Sequence, residues 1–272
     1  MTETREFGAV APGVSFVRLR ATAKLFRGMK AHYGTSLTLA GRAHSRVDGD
    51  DYAQAPGTLG LKQPGQLHHD LARDAAGSFQ LVSFDAELVD ASRRALDQPS
   101  TARLATAQVD PHDARARPLR RLHELVLHGS PEPFALEVAV TDAVSTFTSF
   151  FGAPEARRNR LRPHVRRARQ FLLDHLGDKV TLDAVADHAR TDKFHLCREF
   201  SRELGLPPYA FLTHARVVRA SILLRRGVAP SDVAARVGFC DQSQLHRHFV
   251  RIVGCTPGVY AGARARKHFV LP

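Results

Sequence analysis

Between Phe16 and about Phe84 the chain sets short apolar stretches between turn residues: SLTLAG leads into DGDD, then APGTLGLKQPGQ, then SFQLVSF. Alternation at every second position puts one face of a strand in the core, and Gly, Pro and Asp end such strands. A small β-sandwich or barrel is expected there. From residue 86 to 150 the apolar spacing lengthens to that of helices, in ELVDASRRALDQ, PLRRLHELVLHG and PFALEVAVTDAVSTFTSFFG, with Gly and Pro between them. The last, Phe134 to Phe151, is apolar on more than one face, which predicts a buried helix packed in its own core and also suited to a second copy of the chain. GAPEARRNR, residues 152–160, has the Gly, Pro and Arg content of a linker. Two domains are expected, 1–155 and 156–272, in an α+β chain whose second domain is all helical.

Inside that helical region one pattern occurs twice. Leu196, Arg198, Phe200, Gly205 and Pro208 recur 49 positions on as Leu245, Arg247, Phe249, Gly254 and Pro257. Val185-Ala186 recur as Val233-Ala234 after 48, so the second copy has one more residue in its turn. Each copy is a short apolar helix, a tight turn and an amphipathic helix, the form of a helix-turn-helix. A connecting helix from about Pro208 to Arg226 would hold the second helices, near 192–204 and 241–253, about 28 Å apart at 1.5 Å per residue. Successive major grooves recur on one face of DNA every ~34 Å.

Charge sharpens this picture. Of the net +12, residues 157–272 carry 22 Lys and Arg against 9 Asp and Glu, whereas residues 1–156 carry 17 against 18. An evenly basic chain would not segregate its surplus, so a polyanion-binding module joined to a neutral partner domain is indicated. Cys197, Cys240 and Cys255 have no CxxC spacing, so neither a disulfide framework nor a zinc ribbon is expected. MTETREFGAV lacks the pattern of a signal peptide and no apolar run approaches ~18 residues, so a cytoplasmic protein without a membrane partner is expected.

VGFCDQSQLHRHFVRIVGCTPGVY and LDAVADHARTDKFHLCREFSRELGLPPYAFL resemble the two units of the AraC/XylS-type DNA-binding domain, over about residues 161 to 265. Departures are few: Val233-Ala234 stands where Ile-Ala is usual, Asp192 where Ser is common, and Ala and Gly follow Tyr260 where the family often has a basic residue. The resemblance implies a transcription regulator, with double-stranded DNA and RNA polymerase as partners and activation as the precedent. In the first unit Leu196, Phe200 and Leu204 form the core stripe, leaving Lys193, Phe194, Cys197, Arg198 and Ser201 outward. The resemblance puts Phe194, Cys197 and Arg198 at base-contacting positions. In the second unit Leu245 and Phe249 form the stripe, and Gln242, Ser243, Gln244 and Arg247 lie early in the helix, the part that enters the groove. Asp241 and Gln244 also have capping-box spacing, which ties Gln244 to its own backbone and favours Gln242, Ser243 and Arg247. The run RRNRLRPHVRRAR, 157–169, either grips phosphates or is merely solvated.

HYGTSLTLAG and APGTLGLKQPGQLHHD resemble the cupin-like sensory domain often found ahead of such modules. That implies an unknown small-molecule effector and a possible homodimer. His68 and His69 would lie at the barrel mouth, and with His32 they are the candidate ligand contacts. Metal-binding cupins use an HxH with a following Glu and a later His; His32-Tyr33-Gly34 offers none of this, so no metal, no cofactor and no catalytic residue is expected. A cupin-like metal enzyme fused to a DNA-binding domain, an alkylation-repair regulator and an effector-independent regulator are the alternatives. No Cys precedes residue 197 to serve the repair chemistry.

Overall fold

The computed structural model describes residues 3–74, 77–99, 102–128, 132–152, 161–253, 255–262 and 268–269; the boundary expected near 155 and residues 157–160 of the basic run lie outside them. The first part is an antiparallel β-structure. Its strands are β1 (Thr4–Ala11), β2 (Val14–Thr22), β3 (Arg27–Met29), β4 (Tyr33–Ala40), β5 (Ala43–Val47), β6 (Asp50–Gln54), β7 (Leu59–Lys62), β8 (Leu67–Arg73) and β9 (Gly77–Phe84). Four short strands follow: β10 (Arg103–Leu104), β11 (Gln108–Val109), β12 (Phe151–Gly152) and β13 (His268–Phe269). Two main sheets result, ordered β11-β7-β4-β9-β2-β1-β13 and β3-β8-β5-β6, with β10 and β12 as a separate pair. Strand structure begins at Thr4, earlier than the turn-punctuated pattern from Phe16 indicates. There β1 pairs with β2 from Thr4↔Arg20 to Ala11↔Val14, and its mostly exposed or half-buried residues give little apolar alternation.

Period-2 alternation decides what each face of the larger sheet meets. Leu59, Leu61, Val82 and Phe84 point to α1 (Ala86–Ala95), α2 (Arg117–His128) and α3 (Pro133–Ser149), joining Val89, Leu119, Leu122, Val140 and Phe147 in one core. The same face carries a satisfied polar chain. Arg18 Nη2 donates to Gln80 Oε1 at 3.2 Å, which orients the amide so that Gln80 Nε2 donates to His123 Nδ1 at 3.1 Å. His123 Nε2–H then donates to Thr35 Oγ1 at 2.8 Å. The opposite face of the sheet carries Gly60 and Lys62 beside Ser36. As its all-round apolar character predicts, α3 buries Ala139, Val140, Ala143, Val144 and Phe147 in this core. Phe134 and Val138 near its start stay exposed, 72% and 40%.

The second part holds α4 (Pro163–Asp174), α5 (Leu182–Ala189), α6 (Lys193–Leu204), α7 (Pro208–Arg225), α8 (Pro230–Arg236), α9 (Gln242–Val253) and α10 (Pro257–Gly262). It has two cores. One gathers Val165, Leu172, Val185, Leu196, Phe200 and Phe211; the other gathers Val217, Leu224, Val233, Val237, Leu245 and Phe249. Helix α7 supplies residues to both, so the halves are tied through one rigid rod.

The two parts are docked. Met29 and Leu67, paired across β3 and β8, are buried in the first helical core. A Cβ on Gly28 would sit 2.6 Å from His214 Cε1, so only glycine lets β3 lie this close to α7. Farther along, Asp85 forms an ion pair with Arg225, and Tyr260 stacks on His32 with ring centroids 5.7 Å apart.

Candidate nucleic-acid interface

In the first helix-turn-helix unit, Thr181 Oγ1 caps α5 by accepting from Ala184 N at 3.2 Å, and the chain turns through Arg190 at φ 57°. Asp192 then starts α6, accepting from Phe194 N at 2.9 Å and His195 N at 3.1 Å, and those amides hold its carboxyl below the usual range. Leu196, Phe200 and Leu204 are buried, which fixes the outward face of the helix. On it Arg198 and Phe194 are exposed, the latter by 71%, with Cys197 and Lys193 half-buried. Lys193 Nζ is 2.8 Å from Asp183 Oδ1, an exposed pair that a phosphate can readily exchange. Arg198 makes no hydrogen bond or ion pair with any described residue.

The second unit reproduces this with one more turn residue. After α8 the chain passes through Gly238 at φ 84°, and Asp241 Oδ1 accepts from Gln244 N at 2.6 Å. Gln244 Oε1 accepts in return from Cys240 N at 2.9 Å, so the side chain of Gln244 serves the helix start. Leu245 and Phe249 are fully buried. Gln242, Ser243 and Arg247 are exposed, and none of them bonds to a described residue. His246 is exposed, while His248 stacks on Phe239 at 5.5 Å and lies 2.9 Å from Arg251 Nη2. Arg198 on α6 and Arg247 on α9 therefore stand at equivalent places, both exposed, in the two units that share α7. That rod has 18 residues, about 27 Å.

Several basic residues are structural. Arg167 donates to Ala189 O from Nη2 at 2.6 Å, clamping α4 to the end of α5. Arg216 donates to Leu176 O at 2.8 Å and Asp178 O at 2.7 Å, holding α7 to the loop after α4. Arg162 pairs with Glu199 and Glu203. Of the described basic run, Arg166 remains exposed. His164, His195 and Glu199 bring potential metal-ligand atoms within 4.8 Å of one another. Glu199 Oε2, however, already accepts from Arg162 and Arg202 at 2.5 Å each, and two guanidinium charges oppose a further cation.

The three histidines of the first domain separate. His32 lies under Tyr260 at the domain contact, where burial, with Arg225, lowers its pKa to about 3. Adjacent residues of a strand point oppositely, so His68 and His69 diverge. Both border a crevice of about 130 Å³ between Arg27, Arg46 and the end of α6 at Leu204–Leu206. His68 turns into the barrel, with Nε2 2.8 Å from Asp70 Oδ1 and its pKa lowered to about 3 by burial and by Lys30. Beside it lie Lys30 and Lys62, which sequence reasoning did not single out. Lys62 had only a faint signal, a lysine closing the otherwise apolar and buried LGLK, and Lys30 had none.

Residues 185–263 match a helix-turn-helix domain family. The chain is 36% identical over 76 residues to the uncharacterized HTH-type transcriptional regulator YbfI of Bacillus subtilis, covering 28% of each chain. It is 35% identical over 88 residues to the HTH-type transcriptional activator RhaS of Escherichia coli, covering 32% of each. The chain thus matches under a third of the length of these curated relatives. Among solved structures it is similar to the C-terminal domain of AraT, a response regulator from Geobacillus stearothermophilus, at 33% identity and a TM-score of 0.37, covering 40% of this chain and 89% of that one. No described helix is long and apolar enough to cross a membrane.

Proposed function

From the helix-turn-helix domain matched over residues 185–263, whose two units resemble the AraC type, we propose that the chain is a sequence-specific, DNA-binding transcription activator of the cytoplasm. Helices α6 and α9 enter successive major grooves, and the β-rich domain answers to a small molecule. The observation that carries this is the pair of equivalent, exposed arginines, Arg198 on α6 and Arg247 on α9, that have no partner among the described residues. An exposed guanidinium held by no carboxylate is ready to bond guanine O6 and N7, and glutamine has the matching pattern for adenine. Arg198, Arg247, Gln242 and Ser243 are assigned to bases, Phe194 to thymine methyls and Cys197 to an apolar contact. Lys193 is assigned to phosphate. Gln244 takes part chiefly by fixing the start of α9. RNA polymerase is the proposed protein partner, and the exposed Phe134 and Val138 of α3 support a homodimer through that helix.

Binding of the full chain to DNA flanking its own gene, followed by fluorescence anisotropy against salt, tests this. Neutralising about six phosphates predicts roughly a thousandfold weakening between 50 and 200 mM salt, together with clear preference over random competitor. Equal binding to competitor DNA would sink the proposal.

A further inference from the structure

We propose that the barrel interior binds the anionic head of a small organic acid between Lys30 and Lys62; this rests on the reading of the first domain as a ligand sensor. Lys30 follows β3 and places Nζ 3.8 Å from the centre of the Phe26 ring. Lys62 ends β7, and its ammonium donates to Ser36 Oγ. Neither lysine has an ion pair among the described residues. Asp70 is the carboxylate whose charge acts on both, and it is 2% exposed with both oxygens engaged. Its Oδ1 takes His68 at 2.8 Å, and its Oδ2 takes Arg73 Nη2 at 2.6 Å and Phe26 N at 2.9 Å.

Lys30, Lys62 and Arg73, with His68, thus face one carboxylate that is already spent. Burial is the main cause that lowers Lys30 to about 8 and Lys62 well below its ordinary value, and Lys62 is further depressed by Lys30. Two amines that repel each other across a poorly hydrated site gain most from an anion, which lets both carry their charge. Lys30, Lys62 and His68 are only half-buried, so surface remains for a ligand to touch. Gln66 adjoins Lys30, whose N donates to Gln66 O at 2.8 Å. Gln66 is 2% exposed, and both polar atoms of its side-chain amide lack a partner among the described residues. A buried amide left unbonded costs stability, and an anionic head group would accept from its Nε2. The site also adjoins the domain contact. Two residues before Lys30, Gly28 rests against His214 of α7, and Met29 between them is buried in the helical core.

The test is the melting temperature of the full chain at constant ionic strength, with chloride as the balance. Benzoate, succinate, glycerol 3-phosphate and inorganic phosphate are the anions; benzamide, succinamide and glycerol are their neutral counterparts. At about a hundredfold excess over Kd an anion should raise the midpoint by roughly 5 °C or more. Its neutral counterpart should not, and Lys30→Gln with Lys62→Gln should abolish the rise. The carboxylate and phosphate arms tell which head group fits. If the double variant does not fold, Lys30→Gln and Lys62→Met alone should each weaken the response at least tenfold in concentration. No rise with any anion at 20 mM, or a rise that persists in the variants, overturns the proposal. A response to a neutral probe that persists in the variants removes the anionic class and leaves the sensor reading standing; silence from every probe removes both.

Discussion

Replacing Gly238 by alanine should unfold the second helix-turn-helix unit far more readily than any exposed substitution in it. Gly238 turns the chain between α8 and α9 at φ 84°, where a Cβ costs roughly 1–2 kcal/mol. That Cβ would also stand 2.5 Å from Leu176 O and 2.8 Å from Arg216 Nη2. The carbonyl is backbone and cannot swing away, so the guanidinium must, and Arg216 then loses its hold on Leu176 O and Asp178 O. Each hydrogen bond from a charged donor contributes about 1.5–3 kcal/mol, so with both lost Gly238→Ala should cost roughly 4–8 kcal/mol in all. The first unit supplies the control. Arg190 occupies the matching turn position at φ 57°, and Arg190→Gly relieves strain while adding unfolded-state entropy, for a net change within about 1 kcal/mol. Urea unfolding followed by helical circular dichroism measures both. A Gly238→Ala chain within 1 kcal/mol of the parent would refute the packing described for this turn.

Arg198→Ala and Arg247→Ala should each weaken specific DNA binding by about 1–3 kcal/mol with little change in melting temperature, because neither arginine holds the fold; anisotropy titration beside thermal unfolding separates the two effects. Gln244→Ala should do the reverse, losing about 1 kcal/mol of stability through the helix cap while base preference stays put, as binding-site selection would register. His123 predicts an acid sensitivity. Burial, with Lys62 and Arg120, lowers its pKa to about 3, so below pH 6.5 the unfolded chain takes up a proton that the folded chain refuses. Stability from this group is therefore full above pH 6.5 and falls as pH drops toward 3, by about 1.4 kcal/mol per pH unit. A melting profile from pH 7 to 5 that His123→Gln leaves unchanged would assign that sensitivity to other groups.

The helical half was readable because its two signals are local. The 49-residue repeat marks both units, and the one-residue longer turn appears as Gly238, Phe239 and Cys240 before Asp241, where the first unit needs only Arg190 and Thr191 before Asp192. Core stripes such as Leu196, Phe200 and Leu204 follow from helical spacing alone. The first domain was legible only as a class. Which faces its strands present depends on pairings between distant segments, such as Arg27↔His69 and Gly34↔Lys62. His68 and His69 are adjacent in sequence and both border the crevice at the end of α6, yet only His68 bonds the buried Asp70. His32 reads as a candidate ligand contact, yet its partner is Tyr260, 228 residues away. Lys30 and Lys62 carried no sequence signal strong enough to set them apart from surface lysines, because burial of a charge is a tertiary fact.

Two recognition helices on one rod are proposed to read two successive major grooves. Methylation-interference footprinting of the full chain on its best site, selected from random DNA, tests it directly. The account predicts two interfering clusters of major-groove guanine N7 positions, about 10.5 base pairs apart on one face, with Arg198→Ala weakening one cluster and Arg247→Ala the other. A single cluster, or two that both vanish with one substitution while the other has no effect, would contradict it.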